Sequence, residues 1–264
     1  MVAKITKISA QKRPGRYNIF LDGKYAFPVS EDVLMQFALQ KDLEVDDKLK
    51  QALLAADANS QANQLALNYL SYQLRTIKEM RTYLREHEVS SDVADEIIER
   101  LELQNYLDDA EYAKAYVRTS MILHLKGRNV IRNELRQKGI APDEIEDALV
   151  LYDSETVLEN GTKLAQQVWK RQHKFAQRVR QQKVRQALQQ KGFTGDEITM
   201  IWQELDLGVD EDDESEALAN AAEKAIRRYQ PLTDPKQVQK FKQALARKGF
   251  AFDAINRWLE DHQE

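Results

Sequence analysis

Apolar and polar positions change their period early in the chain. From Arg16 to Leu21 and from Lys24 to Val29 they alternate: Tyr17, Ile19 and Leu21 share one face, and Tyr25, Phe27 and Val29 share another. Asp22-Gly23 between the two runs suits a two-residue type I′ turn, so the pattern predicts a β-hairpin. Lys4 to Ser9 alternates more weakly and is read as a third strand, while Pro28 belongs near a strand end or edge. Ser30 is placed as the N-cap of a helix through about Leu39, and Asp46 or Asp47 as the N-cap of another through about Ala56.

From about residue 57 the period is helical and the pattern repeats. Met80 to Leu84, Ile131 to Leu135, Val184 to Leu188 and Phe241 to Leu245 superpose without gaps. In each, the first apolar residue and the Leu are four apart, on one helical face. Apolar residues recur five positions after the Leu (Val89, Ile140, Phe193, Phe250), ten after (Ala94, Ile145, Ile198, Ile255) and fourteen after (Ile98, Leu149, Trp202, Leu259). Three copies run into Lys-Gly, at Lys138-Gly139, Lys191-Gly192 and Lys248-Gly249, where a helix end needs a left-handed residue. The first copy has Glu88 there, which weakens the turn signal. Asp92, Asp143, Asp196 and Asp253 then stand near the start of the next helix, where a carboxylate is favoured. A further helix precedes each pair, over roughly 57–74, 108–124, 155–174 and 212–229.

The predicted fold is mainly α: an elongated, curved tandem array of four three-helix repeats behind a small three-stranded α+β domain. Its parts are 1–56 for the N-terminal hairpin and short helices, then repeats over 57–104, 105–153, 154–208 and 209–264. Units of this length bury their apolar sides on their neighbours.

Composition agrees. Of 264 residues only 9 are Gly and 5 Pro, while 31% are charged, which favours half-exposed helices over one deep core. Cys is absent, which removes disulfides and thiolate chemistry and suits a reducing compartment. No apolar run reaches the length of a membrane span and the start lacks a signal-peptide pattern, so a cytoplasmic location without membrane contact is expected. The net charge of −4 argues against a surface built as a whole to neutralise phosphates, but leaves room for a local basic patch.

One stretch from Tyr106 to Val117 (Tyr-Leu-Asp-Asp-Ala-Glu-Tyr-Ala-Lys-Ala-Tyr-Val) resembles the signature of the RecX regulatory proteins, with Tyr106, Asp108 and Asp109 in it. Lys126-Gly127, the later Lys-Gly pairs at Gly139, Gly192 and Gly249, all four glycines read as turn residues, and the Tyr17–Val29 hairpin of longer Gram-positive-type members extend the likeness over essentially the whole chain. The resemblance implies a cytoplasmic modulator of the RecA recombinase with no cofactor and no catalytic residue. Such a protein lies in the groove of the RecA–DNA filament, on single- or double-stranded DNA, and inhibits ATP hydrolysis, strand exchange and promotion of repressor self-cleavage. The same likeness places it in recombination, DNA repair and the SOS response; a monomer is expected. Asp108 and Asp109 are read as helix-end carboxylates rather than a metal or acid–base pair.

Charge is distributed unevenly. No acidic residue stands between Glu159 and Asp196, where Lys163, Lys170, Arg171, Lys174, Arg178, Arg180, Lys183, Arg185 and Lys191 give nine positive charges. Trp169 and Phe175 in this stretch are read as core. From Asp196 to Glu223 eleven acidic residues follow with no Lys or Arg. A smaller basic group in the second repeat includes Arg128, Arg132 and Arg136. These residues are the expected filament or DNA contacts. An enzyme has no support, since His87, His124, His173 and His262 are scattered and no nucleotide loop or nucleophile elbow is present. A helical-repeat protein that acts on DNA directly is the alternative to a filament regulator.

Overall fold

The computed structural model describes residues 2–205, 211–230 and 232–262, with backbone alone for 211–213. The acidic run Asp210 to Asp213 lies outside the described side chains. The strands are β1 (Ala3–Ala10), β2 (Arg16–Leu21), β3 (Lys24–Ser30) and β4 (Glu44–Val45), in one antiparallel sheet of order β3-β2-β1-β4. Asp22 and Gly23 have φ of 48° and 80°, the two left-handed positions a type I′ turn requires. Pro28 sits on β3, an edge strand, where its missing N–H is tolerated. The fourth strand exceeds the expectation, because two residues carry no period to read.

Helix α1 (Glu31–Gln36) is capped by Ser30 and α2 (Asp47–Leu70) by Asp46, whose Oδ1 accepts from the Leu49 amide at 2.7 Å. The helix does not end near Ala56 as expected. It runs on because residues 53–62 hold no Gly or Pro to break it. Its first half puts Leu53 into a core with Ile5, Ile19, Phe27 and Val29; its second half puts Ala62 and Ala66 among Met80, Leu84, Ile97 and Leu101. The boundary expected at 56/57 therefore falls inside one helix. Buried Asp57 ties it to the sheet, taking the Arg16 guanidinium at 2.6 Å and the Ser30 amide at 2.7 Å.

The remaining helices are α3 (Ile77–Glu86), α4 (Ser91–Leu103), α5 (Asp109–His124), α6 (Arg128–Gln137), α7 (Pro142–Leu149), α8 (Ser154–Arg171), α9 (Gln177–Gln190), α10 (Gly195–Glu204), α11 (Glu211–Tyr229), α12 (Pro235–Ala246) and α13 (Phe252–Asp261). They make four three-helix repeats, with the second half of α2 as the first helix of the first. Residues 1–112 with 138–140 form one compact unit, and 113–137 with 141–264 a second. Gly139, Gly192 and Gly249 have φ of 90°, 89° and 94°, and Glu88 adopts 60° at the same turn in the first repeat. The amides of Val89, Phe193 and Phe250 donate back to the carbonyls of Leu84, Leu188 and Leu245, so the apolar residue after the turn closes the helix cap.

A single device joins successive repeats. The carbonyl of the Lys in each Lys-Gly turn accepts a hydrogen bond from the start of the second helix of the preceding repeat. Thr76 Oγ1 donates to Lys138 at 2.9 Å, the Gly127 amide to Lys191 at 2.7 Å, and the Ala176 amide to Lys248 at 3.0 Å. Glycine follows because nothing larger fits: a Cβ on Gly192 would lie 2.4 Å from the Val130 nitrogen, and one on Gly249 2.4 Å from Val179 Cγ2. Gly127 is not a turn residue, contrary to the reading from sequence. Its own Cβ would meet the Gly192 backbone at 2.4 Å, so close approach is what selects it. Glu88 has no preceding repeat to dock on and keeps its side chain in solvent.

At the first junction Lys138 Nζ lies 2.7 Å from Glu79 Oε1, and the Thr76 amide donates to Glu79 Oε2. Burial opposes charge on Glu79, yet the hydrogen bonds from Lys138 and Thr76, with the Lys138 and Arg75 charges, hold its carboxyl below the ordinary value. Burial likewise opposes the Lys138 ammonium, and its bonds to Glu79 and Tyr112 hold it above the ordinary lysine range. A depressed carboxylate stabilises the fold above its unfolded pKa, and that stability is lost as pH falls through the folded one. Lys138 stays charged throughout. We expect Glu79→Gln to cost about 1 kcal/mol at neutral pH, allowing for solvent screening. The difference from wild type should begin to shrink as the pH falls through the ordinary carboxylate range and vanish only below the lowered folded value, as read by denaturant unfolding at neutral pH and along an acid series.

Candidate interface on the third repeat

Helices α8 and α9 and the loop between them carry the basic stretch. The chain breaks between Arg171 and Gln177 without Gly or Pro, so Lys163, Lys170, Lys174 and Arg178 do not form one helical stripe. Lys170 and Arg171 end α8, where cations favour the carbonyl end of the dipole. Lys174 lies in the loop and Arg178 in the first turn of α9. All four are exposed, and among the described residues none has an acidic partner within salt-bridge distance. Lys191 is exposed as well, with its Nζ 3.4 Å from the His124 carbonyl at the end of α5.

The other cations of the stretch are engaged. Lys163 pairs with Glu159 at 2.6 Å, one turn away. Arg180 departs most from expectation: it is 7% exposed, and its guanidinium lies 3.8 Å from the centre of the buried Trp169 ring. Its place follows from the helical period, since Arg180, Val184 and Leu188 share the face of α9 that packs inward. Lys183 lies over Phe175 at 4.6 Å and Arg185 over Trp202 at 4.9 Å, so the aromatics underpin cations. Trp169 is core as expected, and Phe175 is half-buried.

In the second repeat the basic group is largely neutralised. Arg132 makes a two-pronged pair with Glu146 at 2.6 and 2.9 Å. Arg128 reaches the Tyr152 carbonyl and sits 3.3 Å from Glu197. Arg136 alone of the three is exposed without an acidic partner among the described residues.

The structure adds two residues that the sequence reading missed. Lys248, half-buried, is held below the ordinary lysine range by burial and then by the charges of Lys224 and Lys174. Lys224 and Lys174 thus act on Lys248 through their charges, and among the described residues none of the three pairs with a carboxylate. Lys224 and Lys248 stand far along the chain from Lys174. The signal that could have found Lys248 is the Lys-Gly turn, which docks beside Ala176.

The signature carboxylates have structural roles. Asp108 accepts from the Glu111 amide at 2.8 Å and caps α5. Asp109, buried, accepts from the Ile77 amide at 2.9 Å and satisfies the start of α3 in the repeat before it. Tyr106 is exposed. Among the described residues no group of His, Asp and Glu could hold a metal ion, and no helix is long and apolar enough to cross a membrane.

Comparisons with known proteins follow this layout. The profile described as the regulatory protein RecX N-terminal domain matches residues 3–46, and those for the first and second RecX three-helix domains match 62–101 and 108–149. The third three-helix domain matches twice, at 155–202 and 211–259. Regulatory protein RecX of Levilactobacillus brevis is 46% identical over 260 residues, and that of Limosilactobacillus reuteri 44% over 259. The Bacillus subtilis protein of the same name is 39% identical over 260 residues, and each of the three alignments covers 98% of both chains. A crystal structure of regulatory protein RecX superposes with a TM-score of 0.67 at 46% identity, covering 76% of this chain and all of that one. RecX from Lactobacillus salivarius gives 0.55 at 43% identity over 58% of this chain and 99% of its own. Profile matches from the sheet to the last repeat, together with full-length relatives, place the chain in the RecX family of regulatory proteins.

Proposed function

We propose that this protein regulates the RecA recombinase by binding the RecA–DNA filament in its groove, and that it lowers ATP hydrolysis, strand exchange and repressor self-cleavage without chemistry of its own. Membership of the RecX family supports the partner. The observation that carries the contact is the set of outward cations at Lys170, Arg171, Lys174, Arg178 and Lys191, which have no carboxylate partner among the described residues. Cations of this kind raise a field of several kT that a polyanion or an acidic protein surface would neutralise. Helical repeats bridging neighbouring recombinase subunits would block subunit addition or the motions coupled to ATP hydrolysis.

The test compares binding to bare single-stranded DNA with binding to the assembled filament at one near-physiological salt concentration. Filament binding at least about tenfold tighter is expected, since protein contacts add to the phosphate term. Equal affinity for both would favour a protein that acts on DNA directly.

A further inference from the structure

Helix α9 presents an outward face of one chemistry. Arg178, Gln182, Arg185 and Gln189 fall within about 60° of each other around the helix, with Gln181 and Gln186 at the margins. All but Gln181 are exposed, and among the described residues none of the four glutamine amides makes a hydrogen bond. The helix has no acidic residue. One carboxylate, Glu214, accepts the Gln177 amide at 2.7 Å and so occupies the helix N-terminus.

Glutamine carries donors and an acceptor but no charge, so such a face is suited to reading hydrogen-bond patterns rather than to neutralising phosphates. Cations stand at both ends instead: Lys174 in the loop before α9, Lys248, whose carbonyl takes the Ala176 amide at 3.0 Å and whose charge feels Lys174 and Lys224, and Lys191 at the far end. Single strands are bound by stacking bases on exposed rings. Here Trp169 is buried, and Phe175 and Trp202 are half-buried with Lys183 and Arg185 over them, so these rings are poorly placed for stacking on bases. The duplex major groove admits one helix, and its base edges pair with Gln and Arg side chains.

We infer that α9 lies in the major groove of duplex DNA, its glutamines and arginines bonding to base edges while Lys174, Lys224, Lys248 and Lys191 hold phosphates on either side. The face from Arg178 to Gln189 is about 16 Å long, the span of about five base pairs. This inference rests on the third repeat as the contact region, but requires no recombinase.

The test uses the full chain, a short duplex, and two variants measured over a range of salt. Q181A/Q182A/Q186A/Q189A keeps helix propensity, since alanine is the best helix former. It should weaken duplex binding about tenfold or more and leave the slope of log affinity against log salt unchanged. K174A/K224A/K248A should flatten that slope by about 0.9 for each phosphate no longer neutralised. Circular dichroism confirms that both variants fold. The inference is overturned if the glutamine variant binds the duplex like wild type, or if wild type binds the filament but no duplex. The second result would leave the filament reading standing.

Discussion

Gly192→Ala is expected to lose about 3 kcal/mol or more of stability. Three costs add. The added Cβ must adopt a φ of 89°, which L-residues avoid at about 1–2 kcal/mol. It would also lie 2.4 Å from the Val130 nitrogen, backbone that cannot turn aside like a side chain. Moving α6 away then strains the Gly127–Lys191 and Asn129–Gly192 hydrogen bonds of 2.7 and 3.1 Å, each worth about 1 kcal/mol. Gly139→Ala should cost somewhat less, because it meets Lys78 side-chain carbons rather than backbone; Cδ at 2.6 Å can turn aside, although Cβ at 2.7 Å moves only with its helix. Glu88→Gly removes a side chain from the same turn where no repeat docks, and should stay within about 1 kcal/mol of wild type. Urea unfolding of the three variants checks the ranking. A Gly192→Ala protein as stable as Glu88→Gly would mean that the junction is not held by backbone contact.

That ranking shows what the sequence can and cannot disclose. The repeats are legible because every copy keeps the same Leu, turn and Asp offsets, and those offsets are set by local geometry: one helical face, one left-handed cap, one helix start. The type I′ hairpin is legible for the same reason, since Asp22-Gly23 meets a purely local demand. Features decided by distant partners are not. Gly127 looks like a turn glycine until Gly192 is placed against it, 65 positions later. Helix α2 reads as divided at residue 56 because two cores share it, and a core boundary is not a helix boundary.

At the candidate interface the basic character of the stretch is legible, but the exposure of each cation is not. Arg180 lies four positions before Val184 and eight before Leu188, which is a core position, and the helical period already carries that signal. Arg128 and Arg132 are cations whose carboxylates, Glu197 and Glu146, come from other helices. Pairing of this kind needs the tertiary fold. Lys224 and Lys248 join Lys174 only where the fourth repeat docks on α9.

Reversing the exposed charges carries the largest functional effect. The substitutions K170E/R171E/K174E/R178E replace four cations that have no acidic partner among the described residues by anions at the end of α8, in the loop and at the start of α9, while Arg180 is left in place because removing it would unsettle the Trp169 core. Each reversal removes one favourable interaction with a phosphate or carboxylate and adds a repulsion, so apparent affinity for the filament should fall about a hundredfold or more at moderate salt. Titrating wild type and this variant against the ATPase of a preassembled RecA filament puts the matter to one measurement. Inhibition by wild type, with none by an equally helical variant over the same concentrations, is the predicted result; superimposable inhibition curves would contradict the assignment of the third repeat as the face that meets the filament.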